Sequence, residues 1–109
     1  MRCQLVILAS AEADLRALRS YLVANFGKRS WQDSYRKIKA AMTTIRTYPL
    51  RGVVPVELTD MHLTQFRQVL AGLNRIIYEV RGTVIYVHVI CDTRKDLPSL
   101  LMQRLVRSV

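Results

Sequence analysis

The chain has 109 residues, 17 Lys+Arg against 8 Asp+Glu, and a formal net charge of +9. That length accommodates one domain, spanning 1–109, and a half-hydrophobic composition with four glycines and three prolines excludes a disordered protein. No apolar run approaches the roughly 20 residues needed to cross a bilayer, and Glu12, Asp14 and Arg16 follow the first apolar run too soon for a secretory leader, so the expectation is a cytoplasmic protein without a membrane partner.

In chain order, residues 3–8 are apolar and rich in branched side chains, which reads as a strand. Ser10, followed by Glu12 and Asp14, predicts an N-cap with acids against the positive end of a helix. Leu15, Leu18, Leu22 and Phe26 recur at spacings of three and four, and Gly27 ends that helix. Ser30, with Asp33 three residues on, predicts the cap of a second helix whose apolar stripe is Trp31, Tyr35, Ile38, Met42 and Ile45. So short a link makes the two helices an antiparallel hairpin. Tyr48-Pro49 stops the second helix, and Leu50 to Pro55 reads as a turn region.

Beyond Glu57 the period changes. Phe66 to Ala71 and Asn74 to Val80 read as strands joined by a turn at Gly72, and Arg81-Gly82 as the next hairpin turn. Thr83 to Cys91 is nearly continuously β-branched or aromatic, as expected of a central strand buried on both faces. Asp96 predicts an N-cap for a short C-terminal helix striped by Leu97, Leu100, Leu101 and Leu105. The fold class is therefore α+β: an N-terminal strand and a two-helix hairpin packed on a twisted antiparallel sheet, with a short C-terminal helix.

The basic excess is not a tail: residues 1–60 hold ten cations and five acids, and residues 61–109 hold seven and three. Such a balance favours an acidic partner. Cys3, His62, His88 and Cys91 show no metal-ligand spacing, so neither a metal nor another cofactor is expected. There is no Gly-rich phosphate loop and no nucleophile elbow. What remains is a set of cations toward the C-terminal half, Arg67, Arg75, Arg94, Lys95, Arg104 and Arg107, as candidate target-binding residues. Arg67 and Arg75 flank one hairpin; the two readings are convergence on one face, where guanidinium groups can grip phosphate or carboxylate, and an exposed sheet face with unpaired arginines.

Phe66-Arg67-Gln68-Val69, then Asn74-Arg75-Ile76-Ile77-Tyr78-Glu79-Val80, then Arg94-Lys95-Asp96-Leu97 resemble the toxins of the ParE/RelE superfamily, as do Ala11-Glu12-Ala13-Asp14-Leu15 and Phe26-Gly27 near the start. The resemblance implies a type II toxin neutralised by an acidic, ParD-like antitoxin. The hairpin residues Leu18, Tyr21, Leu22, Phe26, Trp31 and Tyr35 are the candidate antitoxin-binding set. RelE-like members cut mRNA on the ribosome, and the residues matching such a role are Arg67, Arg75 and Lys95. ParE-like members poison DNA gyrase without a nuclease set. The strand lysines of RelE-like enzymes are missing here, and Leu101 stands near the place of their terminal tyrosine. Arginine stays charged and is a poor proton acceptor, whereas RNA cleavage needs an acceptor and a donor. The expectation is a gyrase-directed toxin, with the ribosome-dependent mRNA interferase as the alternative.

Overall fold

A computed structural model describes residues 3–107. The elements are β1 (Gln4–Ile7), α1 (Ala9–Phe26), α2 (Lys28–Thr47), α3 (Val56–Thr59), β2 (Phe66–Ala71), β3 (Asn74–Arg81), β4 (Val84–Asp92) and α4 (Leu97–Arg107). The four strands form one sheet in the order β1-β4-β3-β2. β2, β3 and β4 make the expected antiparallel meander. The sheet is nevertheless mixed rather than antiparallel, because β1 lies parallel to β4, Gln4 opposite Val84 and Ile7 opposite Val87. Apolar runs report burial and not strand direction.

Two cores lie on the two faces. Ala11, Ile38, Ala41 and Ile45 of the hairpin pack against Ile76, Tyr78, Ile85, Val87 and Ile90. On the opposite face Leu58 of α3 and Leu97 and Leu101 of α4 cover Phe66, Ile77, Val89 and Cys91. β4 therefore contributes to both, as its unbroken apolar run requires. Ile85 and Val87 point to the hairpin, yet so does Ile90: the alternation changes parity at a β-bulge, where Ile77 pairs with Val89 and Tyr78 with Val87, leaving His88 as the extra residue.

Helix starts differ from the expected caps. α1 begins at Ala9 and α2 at Lys28, preceded by Leu8 and Gly27, neither giving a side-chain cap bond, so Ser10 and Ser30 are not caps. β1 runs into α1 through Leu8 alone, whose N–H still donates to the Val87 carbonyl at 3.1 Å while its own carbonyl accepts from Glu12 at 2.9 Å. Gly27 is the whole link between the two long helices, and its φ of 93° is a conformation that other residues rarely adopt. Asp33 forms an ion pair with Arg36 instead of a capping box. Asp96 does cap α4, accepting from the Ser99 N–H at 3.3 Å and the Ser99 hydroxyl at 2.8 Å.

The segment after α2 is anchored more firmly than a turn. Val53 bridges to Gln68 on the outer edge of β2, with N–H to O distances of 3.2 and 2.7 Å. The buried Tyr78 hydroxyl accepts from the Gly52 N–H at 3.0 Å and donates to the Pro49 carbonyl at 2.7 Å. A Cβ on Gly52 would collide with that hydroxyl and lie 2.8 Å from the Gln68 carbonyl oxygen. Gly52→Ala should therefore lower stability by about 2 kcal/mol through overpacking, measured by urea unfolding. An unchanged midpoint would mean that the segment moves freely off Tyr78.

Candidate functional site

The register separates the two strand arginines. Arg67 stands opposite Tyr78, on the hairpin face, and Arg75 stands opposite Leu70 and Cys91, on the α3/α4 face. They do not converge, which removes the first of the two readings their flanking positions left open. Arg67 donates to the carbonyls of Leu50 at 3.2 Å and Gly52 at 2.7 Å, so it fastens the loop after α2. Arg75 is largely buried and pairs with Glu57 of α3 at 3.0 Å, while its Nη1 is buried without a hydrogen-bond partner.

Arg104 has a different environment from an open binding cation. Its guanidinium grips the Asp14 carboxylate of α1 with two nitrogens, at 2.6 and 2.9 Å, and donates to the His88 carbonyl at 3.0 Å. The other acceptor capacity of Asp14 is used by the Ile90 N–H at 2.9 Å. Asp14 was expected to serve the helix dipole; instead it ties α1, β4 and α4 together. Arg94, almost fully exposed, lies on Asp92 through Nε and Nη2 at 2.9 and 3.2 Å. These bonds, and one from the Arg94 backbone N–H, hold the Asp92 carboxyl below its usual range. Lys95 is exposed and makes no ion pair with a described residue. Arg107 ends α4, and its side chain lies outside the described set. Arg75, Arg94 and Lys95 thus gather at one end of the sheet, where Arg75 pairs with Cys91 and Asp92 precedes the turn into α4. At Cys91 burial outweighs the nearby guanidinium groups and pushes the thiol pKa up.

The hairpin set divides into two pairs. Tyr21 and Phe26 are 57% and 65% exposed and meet edge to face, with ring centroids 6.1 Å apart. Trp31 and Tyr35 stack at 5.1 Å, with Lys39 over the Tyr35 ring. Leu18 packs onto the core and Leu22 is half-buried. Two large aromatics thus stay open on α1, with most of their surface left out of the packing of the hairpin onto the sheet.

One cluster carried no sequence signal. His88 Nε2 lies 3.1 Å from Glu79 Oε1, Arg81 reaches the same oxygen at 3.0 Å, and the Phe66 ring meets the imidazole edge to face at 5.0 Å. Glu79, Arg81 and His88 share the α3/α4 face through the regular pairing that precedes the bulge, and Phe66 stands opposite Glu79 on β2; no spacing of residue types in the sequence marks the four as neighbours.

A sequence model of the ParE toxin of the type II toxin–antitoxin system, parDE, matches residues 5–97. The chain belongs to the ParE toxin family. Among solved structures, the fold is similar to that in a chromosomal ParDE toxin–antitoxin system from P. aeruginosa, at a TM-score of 0.68 and 16% identity over 84% of this chain and 96% of that one. It is also similar to the RelBE2 toxin–antitoxin complex from Mycobacterium tuberculosis, at 0.57 and 16% over 84% and 99%. A mutant of the E. coli toxin RelE in the free state matches at 0.59 and 17% over 100% and 99%. No curated protein sequence matches the chain. At these identities the structures establish the shared fold, and the family model supplies the assignment as a type II toxin of the ParE/RelE superfamily.

The buried histidine gives this ParE-family chain a pH dependence. Desolvation lowers the His88 pKa below its ordinary 6.5, against the raising effects of the Glu79 hydrogen bond and charge, and Arg81 lowers it further. The folded state therefore favours the neutral ring. Stability from this group is fully present above the unfolded pKa and is lost as pH falls from about 6.5 through the lower folded value. Urea midpoints should fall between pH 7 and pH 5, and less steeply in His88→Gln. Equal slopes in both proteins would place the acid sensitivity elsewhere.

Proposed function

We propose that the protein is the toxin of a type II pair that inhibits DNA gyrase and blocks replication in the cytoplasm. An acidic antitoxin neutralises it by docking an amphipathic segment on the hairpin at Tyr21 and Phe26. One observation carries the choice of target. The cations matched to a nuclease role do not form a convergent set: Arg67 is bound to loop carbonyls on one face, while Arg75 and Lys95 belong to the other side and end of the sheet. A dispersed set of guanidinium groups can bind an acidic surface, but RNA cleavage needs a proton acceptor and charge stabilisers held around one phosphate. The target-binding residues on this reading are Arg75, Arg94 and Lys95, while Arg104 acts through the fold.

The ribosome-dependent mRNA interferase is the second reading, favoured by the unpartnered Nη1 of Arg75 on β3. Purified toxin should inhibit supercoiling by gyrase, leave mRNA intact in a translation extract, and be silenced by its antitoxin unless Tyr21 and Phe26 are both changed to Ser. Discrete mRNA cuts that vanish in Arg75→Ala or Lys95→Ala, with supercoiling unaffected, would replace the first reading by the second.

A further inference from the structure

The ion pairs show where the excess charge is free to act. Among the described residues, five carboxylates are matched by arginine: Asp14 by Arg104, Asp33 by Arg36, Glu57 by Arg75, Glu79 by Arg81 and Asp92 by Arg94. Four of those pairs involve the sheet or α4. The long helices, by contrast, carry Arg16, Arg19 and Lys28, exposed and without an ion pair to any described residue. These three side chains line one groove between α1 and α2, of about 760 Å³, together with Trp31 and Gln32.

The chemistry of that groove is one-sided. No carboxylate lines it, while Ser20 and Gln32 add hydrogen-bond donors beside the three cations. Aliphatic lining is limited to Val23 and Ala24, too little to seat the apolar stripe of a partner helix. The large open apolar residues of α1, Tyr21 and Phe26, lie outside it. Trp31, half-buried at the groove and stacked on Tyr35, continues into Lys39 over the Tyr35 ring, so aromatic surface and cations alternate along α2. Cations that follow a phosphate chain beside aromatic rings are the chemistry of single-strand binding.

We propose that this groove binds single-stranded nucleic acid, with phosphates on Arg16, Arg19 and Lys28 and a base against Trp31. The site is separate from the cations at the sheet end and from Tyr21 and Phe26, and it stands whichever target the toxin poisons.

Trp31 is the sole tryptophan, so its emission reports on the groove directly. Titrating the full chain with a thymidine oligonucleotide of about twelve residues should quench that emission saturably. Three phosphate contacts give a slope of roughly −2 for log affinity against log salt. The triple variant Arg16→Glu, Arg19→Glu, Lys28→Glu should bind at least about tenfold more weakly; the variant with Gln at these positions serves if that one does not fold. A charge-matched variant, Arg29→Glu, Lys37→Glu, Arg51→Glu, should change affinity by less than about threefold. Equal losses in the two triples, binding without a change in Trp31 emission, tighter binding to the duplex, or equally tight binding of polyglutamate would each overturn the proposal.

Discussion

The fold depends on how the far half of β4 is completed. β1 covers β4 only from Val84 to Val87, so a backbone edge would stand open from His88 onward. Two side chains take the place of the missing strand. Asp14 accepts the Ile90 N–H, Arg104 donates to the His88 carbonyl, and each satisfies the other. An edge strand with unpaired polar groups invites pairing with another chain, and a half-satisfied buried ion pair is costly. Removing one partner of such a pair costs about 3–5 kcal/mol, set against a total stability of roughly 5–15 kcal/mol for a domain. Because Asp14 is on α1 and Arg104 on α4, the same contact joins the helices of opposite faces around the edge of the sheet.

That arrangement sorts the charges by task. Arg67 secures the loop after α2 and Arg104 secures α4, so two arginines that look available in the sequence are committed to the architecture, while Arg75 holds α3 through one nitrogen and leaves Nη1 without a partner. Among the described residues, most cations without an acidic partner lie on the helical hairpin, the others being Arg51 in the loop after α2, Arg67 on β2 and Lys95 at the turn leading into α4. The net charge of +9 is thus largely a property of surfaces away from the paired strand arginines. The apolar anchor of Tyr21 and Phe26 and the cation-lined groove at Trp31 then give the hairpin two chemically different faces.

Much of this was legible in the residues. Spacings of three and four gave both long helices, and branched runs separated by Gly72 and Gly82 gave the meander. The cap at Asp96 was legible because an acid there has a donor three residues ahead, in Ser99. The direction of β1 was not, since parallel and antiparallel strands bury the same side chains. Nor was α3, a single turn too short to show a period. The opposite facing of Arg67 and Arg75 follows from the pairing across Gly72-Leu73, where Val69 meets Ile76 and Arg67 meets Tyr78, so a register argument, rather than proximity to the hairpin, was the signal that could have found it. Asp14 and Arg104 are 90 residues apart, and nothing local marks them as partners. The hairpin aromatics were legible as a group, whereas their division into an exposed pair and a stacked pair required the helix packing.

The central claim is that the Asp14–Arg104 pair completes the β4 edge. Amide hydrogen exchange at Ile90 tests it most directly. In the native chain that amide should exchange only on global unfolding; in Arg104→Met it should exchange through a local opening, well before the amides of Ile76 and Ile77 in β3. If Ile90 stays as protected in the variant as in the native chain, the edge is closed by something else and the account is contradicted.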